Sequence, residues 1–70
     1  MKRIPVKSSS LASLGYDAAT GILEVEFRNH RCYQYFVVPQ HVFKGLIAAE
    51  SKGTYLNEHI RGRFPFTQLS

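Results

Sequence analysis

Residues Ile22–Val38, "ILEVEFRNHRCYQYFVV", decide the fold. In the first part Leu23, Val25 and Phe27 alternate with Glu24, Glu26 and Arg28, the period of two of a strand with one apolar and one polar face. The run breaks at Asn29-His30-Arg31 and resumes from Cys32 to Val38 with aromatic and β-branched residues. Two such runs around a short polar break read as an antiparallel hairpin. Loop length then decides which way the tyrosines point, because a one-residue slip turns every side chain to the other face. A three-residue loop puts Tyr33 and Tyr35 on the face of Val25 and Phe27; a two-residue loop sets them opposite Glu24 and Glu26. The sequence leaves both registers open, and in either of them Tyr33 and Tyr35 share one face.

Upstream, Leu11–Tyr16, "LASLGY", is weakly apolar and runs into "DAATG". An Asp-initiated turn closing on Gly21 fits a hairpin loop, since glycine takes a positive φ without steric cost. Leu11–Val38 is therefore expected to form a three-stranded antiparallel meander. Residues 1–8 are expected to be a loosely ordered lead-in, or at most an edge segment.

Downstream, Pro39 suits the first turn of a helix. In "PQHVFKGLIAAES", Val42, Phe43, Leu46 and Ile47 form an apolar stripe at helical spacing. Gly45 either weakens this helix by roughly 1 kcal/mol relative to alanine or admits a close neighbour. Gly53 is expected to end the helix. Thr54 then caps a second helix, Tyr55–Ile60, with Leu56 and Ile60 facing inward and Gly62 stopping it. "RFPFTQL" follows as an extended tail, because Pro65 disfavours helical geometry at Phe64. The expected architecture is α+β, in the order β-β-β-α-α, with both helices on one face of the sheet.

Seventy residues allow a single domain, and so short a chain buries only about 60% of the surface exposed on unfolding. A hydrophobic fraction of 44% still supports a folded core. The single cysteine, Cys32, closes no intrachain disulfide, so association of copies is the other route to more buried area. There is no apolar run near the ~18 residues of a membrane span. The two early cations are not followed by an apolar stretch, so no signal peptide is read and a cytoplasmic location is expected. Nine Lys and Arg against five Asp and Glu give a net charge of +4, a balance that favours polyanionic partners.

Four segments in this order, "VKSSSLASLGYD", "GILEVEF", "YQYFVVP" and "LIAAESKGTYLNEHIRGRF", together resemble the KTSC family. That family is named from a domain at the C-terminus of some lysyl-tRNA synthetases and includes small free-standing bacterial and phage proteins. Tyr33-Gln34-Tyr35, Ser51-Lys52-Gly53, Asn57 and Ile60-Arg61 carry the resemblance, which spans about Val6 to Phe66. His30 departs from it, standing where the turn of the family pattern has glycine. The synthetase connection implies RNA binding and nothing more specific.

Two groups of residues point to an anionic ligand. Around the second helix lie Lys52 before its start, Tyr55 and His59 four apart on one stripe, Asn57 with amide donors, and Arg61 and Arg63 beyond its end. The helix N-terminus near Gly53 and Thr54, with Lys52 beside it, is expected to attract a phosphate or carboxylate. On the strand, Tyr33 and Tyr35 resemble the aromatic pairs on which RNA-binding sheets stack bases. Each group also has a plain structural reading: solvated or self-capped charges in the first, half-buried packing in the second.

Catalytic and metal-binding constellations are absent from the pattern. Cys32 and His30 are hairpin neighbours, not an oriented dyad, and three scattered histidines have no zinc spacing. Glu24 and Glu26 read as a solvated stripe, and nothing marks His59 with Lys52 and Arg61 as a nuclease centre. No cofactor is expected. The sequence thus points to a non-enzymatic module that binds nucleic acid, RNA favoured, through Lys52, Tyr55, Asn57, His59, Arg61, Arg63, Tyr33 and Tyr35. The alternatives are a homo-oligomer that sequesters a small nucleotide and a protein-interaction module using "FPF" and the tyrosine face.

Overall fold

The computed structural model describes residues 2–70. The strands are β1 (Ile4–Pro5), β2 (Leu11–Asp17), β3 (Ile22–Phe27), β4 (Cys32–Tyr35) and β5 (Phe66–Gln68); α1 (Gln40–Ala48) and α2 (Lys52–His59) lie between β4 and β5. The α+β class and both helices are as expected, but the sheet has five strands in the order β1-β2-β3-β4-β5, all antiparallel, where three were expected. Both additions are short edge segments. Ile4–Pro5 pairs with Leu14 and Ser13, so the expected lead-in is partly a strand. The tail after α2 pairs with β4, whose outer edge it covers. Pro65 sits just outside β5, where its missing N–H removes no bond and its carbonyl accepts from Phe36 N.

Both hairpin turns have a clear local cause. In the first, Asp17 Oδ1 accepts from Ala19 N at 3.0 Å and Gly21, at φ 73°, returns its N–H to the Asp17 carbonyl at 2.8 Å. In the second, Phe27 and Arg31 bracket the loop Arg28-Asn29-His30, Asn29 Oδ1 accepts from Arg31 N, and His30 has φ 70°. This is a three-residue loop closing on a left-handed residue. It selects the register in which Val25 opposes Tyr33 and Leu23 opposes Tyr35. The tyrosines therefore share the face of the apolar residues, and Glu24 and Glu26 project from the other.

The helices cover the β2–β3 side of that apolar face. Leu11, Leu14, Leu23, Val25, Tyr35, Val38, Leu46, Leu56 and Ile60 form one buried cluster. The expected stripe of α1 packs here, with Leu46 buried and Phe43 stacked on Tyr16 at 4.6 Å. Leu56 and Ile60 are the inward pair of the α2 segment, as their spacing predicts.

The helix ends differ from expectation. α1 stops at Ala48, and α2 begins at Lys52 with Ser51 as its N-cap, whose Oγ accepts from Thr54 N. Thr54 is thus inside the helix, not its cap. Gly53 does not terminate α1; it lies in α2 against Ser10, where a Cβ would come within 3.0 Å of Oγ. Gly62 does act as a stop: at φ 76° it occupies the third position of a turn closed by Arg63 N and the Ile60 carbonyl. Gly45 admits a close neighbour, but on α2 and not on a strand, since an added Cβ would lie 2.7 Å from Tyr55 Cζ.

Two stability measurements test this account. In a free helix Gly45→Ala gains about 1 kcal/mol, but overpacking against Tyr55 costs about 1–3 kcal/mol. Gly45→Ala is therefore expected to lower the urea midpoint, and to raise it in a Tyr55→Ala background. At the second turn, a non-glycine residue in the left-handed region costs about 1–2 kcal/mol, and glycine returns about half of that as chain entropy. His30→Gly should stabilise the domain by about 0.5–1 kcal/mol; a lower urea midpoint would contradict the assigned turn.

Candidate functional site

The open part of the helix-side face lies over β4 and β5. Tyr33 faces Gln68, and Tyr35 faces Phe66, across that pair. Four aromatic rings meet there. Phe27 meets Tyr33 edge-on at 5.5 Å; Tyr33 and Tyr35 lie near-parallel at 6.4 Å; Phe66 contacts both, at 5.7 and 5.8 Å. Their exposures differ. Tyr35 is only 3% exposed and is a wall of the site, whereas Phe66 is 57% exposed and Tyr33 is half-buried. Stacking surface is therefore offered by Tyr33 and Phe66 and not, as the sequence suggested, by Tyr35.

Two adjoining depressions open over these rings. One, of about 190 Å³, is lined by Phe27, Asn29, Arg31, Tyr33, Tyr35 and Arg61. The other, of about 330 Å³, is lined by Tyr33, Tyr35, Arg61, Gly62, Phe66 and Gln68. Tyr33, Tyr35 and Arg61 belong to both. The Ile60–Arg63 turn carries Arg61 out of α2 to this place while Ile60 stays anchored in the core.

The electrostatics are one-sided. Arg61 donates one hydrogen bond, to Asn57 Oδ1 at 3.2 Å, and among the described residues no carboxylate pairs with it. A guanidinium carries five donors, so most of its capacity is open. Burial pushes the Tyr35 phenol above its ordinary 10.0, and the Arg61 guanidinium pulls it back part of the way. Neither depression has an acidic residue in its lining.

The sheet's carboxylates are held on the opposite face and are already engaged. Glu24 pairs with Arg3 at 3.3 Å and accepts from Gln34 Nε2 at 3.0 Å. Glu26 accepts from Ser13 Oγ at 2.8 Å. Cys32 receives a hydrogen bond from Arg3 on the same side. Among the described residues no cluster of metal-ligating side chains occurs.

Of the residues singled out around α2, only Arg61 reaches this site. Lys52 lies about 13 Å away along the helix axis, and its ammonium donates to the Ala49 carbonyl at 3.1 Å, completing the end of α1. Arg63 donates to the Glu58 carbonyl at 2.8 Å. Tyr55 packs its ring against Gly45 and His59, the latter at 4.4 Å, so it joins the helices together. Asn57 orients Arg61 without lining a depression. At the start of α2, where an anion site was expected, Ser51 Oγ takes the Thr54 N–H and the Ala49 carbonyl takes one donor of Lys52, so part of the donor capacity is used within the chain. Phe27, Asn29, Arg31 and Gln68 were missed, and Phe66 entered only with the "FPF" tail of the protein-interaction alternative. Phe27 and Arg31 follow once the loop is three residues long; Phe66 and Gln68 needed the tail to be seen as a strand.

Comparison with known proteins gives a consistent result. The KTSC domain matches residues 7–64. A protein of Stutzerimonas stutzeri is 48% identical over 58 residues, 83% of this chain and 82% of that one. A Tsukamurella paurometabola protein is 43% identical over 60 residues, 86% of this chain and 90% of that one. A lysine–tRNA ligase of Nostoc punctiforme is 39% identical over 64 residues; these are 91% of this chain but 11% of the ligase. The crystal structure of a KTSC domain protein from Yersinia pestis superimposes with a TM-score of 0.95 at 36% identity, covering 99% of this chain and 97% of that one. The family resemblance read from Tyr33-Gln34-Tyr35 and Ser51-Lys52-Gly53 thus holds along the chain, and the protein belongs to the KTSC domain family.

Proposed function

We propose that the domain is a non-enzymatic module that binds single-stranded nucleic acid, RNA above all, on the open aromatic face over β4 and β5. One observation carries this reading. Tyr33 and Phe66 present ring surface beside the unpaired Arg61 guanidinium, while the sheet's carboxylates lie on the opposite face. Stacking on aromatic rings recognises bases without reading sequence, and a free guanidinium beside them receives phosphate. An unpaired single strand offers both groups, whereas bases in a duplex are stacked on each other. The resemblance to part of a lysine–tRNA ligase, an enzyme whose partner is an RNA, agrees with this choice. The reading places the domain in the cytoplasm; among the described residues no helix is long and apolar enough to cross a membrane.

Binding of a labelled single-stranded RNA, followed by fluorescence anisotropy, tests the reading. With Arg61 and Arg31 each neutralising one phosphate, log affinity against log salt should have a slope of about −1.4. Tyr33→Ala and Arg61→Ala should each weaken binding roughly tenfold, and Lys52→Ala less than about twofold. Absence of binding at ~50 mM salt, or equal losses at Lys52 and Arg61, would remove the proposal. Binding that ignores salt would favour a protein partner on the same face.

The placement of Arg61 has its own check. Tyr35 ionises above its ordinary value in the folded domain. The neutral phenol's contribution to stability is therefore full below that ordinary value and lost as pH rises through the folded one. Arg61→Gln removes the neighbour that favours the phenolate, so the Tyr35 transition should move still higher in an ultraviolet titration. Comparison with Tyr35→Phe identifies the transition; a downward move would mean that Arg61 does not face this hydroxyl.

A further inference from the structure

The two depressions are separate in their outer walls and common in their centre. Phe27, Asn29 and Arg31 belong to the β3–β4 hairpin end, Gly62, Phe66 and Gln68 to the β5 side, and Tyr33, Tyr35 and Arg61 to both. Their volumes, about 190 and 330 Å³, fall at or below the lower end of small-molecule sites, which run to ~300–1,000 Å³. A ligand that filled only one would leave the shared guanidinium half used. One that fills both must be two-lobed, with its negative charge between the lobes.

Resting on the nucleic-acid reading above, we infer that the site holds two successive nucleotides, with Arg61 on the phosphodiester that joins them. One base lies in the depression walled by Phe27 and Tyr33, where the Asn29 side-chain amide reaches the rim. Asn29 already accepts from Arg31 N through Oδ1, which leaves its amide donors unused. The second base lies in the depression bounded by Phe66, with the Gln68 amide beside it. Gln68 donates to the carbonyl of Ser70, which leaves its own oxygen as an acceptor. Arg31 meets the next phosphate outward, on the hairpin side. The footprint is two bases, one central phosphate and one flanking phosphate.

Two bases joined by a phosphate occur both within a strand and in a small cyclic dinucleotide, and the probes separate these sources. Affinities are measured by calorimetry or anisotropy at low salt for uridine monophosphate, the linear dinucleotide UpU, tetra- and hexauridylate, and a cyclic dinucleotide. The expected pattern is a step of roughly tenfold or more from one nucleotide to two, since one more base finds an aromatic surface. From two to six nucleotides the gain should stay within about fivefold, from the flanking phosphate at Arg31 and the larger number of registers. Phe66→Ala should bring UpU close to the mononucleotide, because only the hairpin-side lobe then holds a base. Circular dichroism and urea midpoints of each variant separate lost binding from lost folding.

A mononucleotide that binds as tightly as UpU, or affinity that climbs steadily to six nucleotides without a step at two, overturns the two-lobed footprint and leaves the binding reading standing. Failure of every probe, the hexamer included, overturns both. A cyclic dinucleotide stronger than the hexamer by tenfold or more supports the same two lobes and assigns them to a small signalling nucleotide in place of a strand.

Discussion

The pairing of Val25 with Tyr33 is the constraint on which the rest of the structure depends. Side chains on a strand alternate with a period of two, so a shift of one residue at the β3–β4 hairpin would turn both tyrosines and Cys32, Gln34 and Phe36 to the wrong side. In the observed register Tyr33 and Tyr35 share the helix-side face with Leu23 and Val25, and the carboxylates of β3 form their bonds with Arg3, Gln34 and Ser13 on the far face. One loop therefore sets both the core and the sign of the potential over the open face. That loop is closed by His30 at φ 70°, a conformation glycine adopts at lower cost. The departure from the family's turn pattern is a matter of local strain and leaves the register intact.

The elements most legible in the sequence were those whose pattern is long compared with their loops. The alternation in "ILEVEF", the Asp17–Gly21 turn, the apolar stripe of α1 and the Leu56–Ile60 pair all appear where periodicity places them. The two edge strands were not legible. Ile4–Pro5 and Phe66–Gln68 are two and three residues long, too short to show a period, and each forms because a longer neighbour has a backbone edge to satisfy. The limits of the helices failed for a related reason. Gly53 looks like a stop in isolation, but the packing of α2 on Ser10 makes it the residue that fits, and the cap falls on Ser51.

The basic residues around α2 were legible in the composition, and the directions their side chains take were not. Clustering of Lys52, Arg61 and Arg63 around one short helix suggested convergence, yet a helix of eight residues separates its two ends by more than a side chain's reach. The nearest acceptors then decide. Lys52 meets the carbonyl of Ala49 and Arg63 that of Glu58, both within five positions in sequence. Local carbonyl bonds of this kind are invisible to charge counting. Arg61 escapes because the turn at Gly62 swings it away from the helix end toward residues far off in sequence.

Stability gives only part of the reason for the open face. Fully burying a phenylalanine contributes roughly 1.5–3 kcal/mol, and Phe66, at 57% exposed, forgoes about half of that. Its ring contacts with Tyr33 and Tyr35 restore about 0.5–1.5 kcal/mol. Phe66 thus contributes about as much as a fully buried phenylalanine would, and it and the tyrosines are explained by packing. Arg61 is not explained in this way. An exposed guanidinium without a carboxylate partner adds about 0–1 kcal/mol at most, and it places a cation beside the depressions of a chain already at +4. Its one hydrogen bond, to Asn57, is exposed and local, so Arg61 is the residue of this face that packing accounts for least.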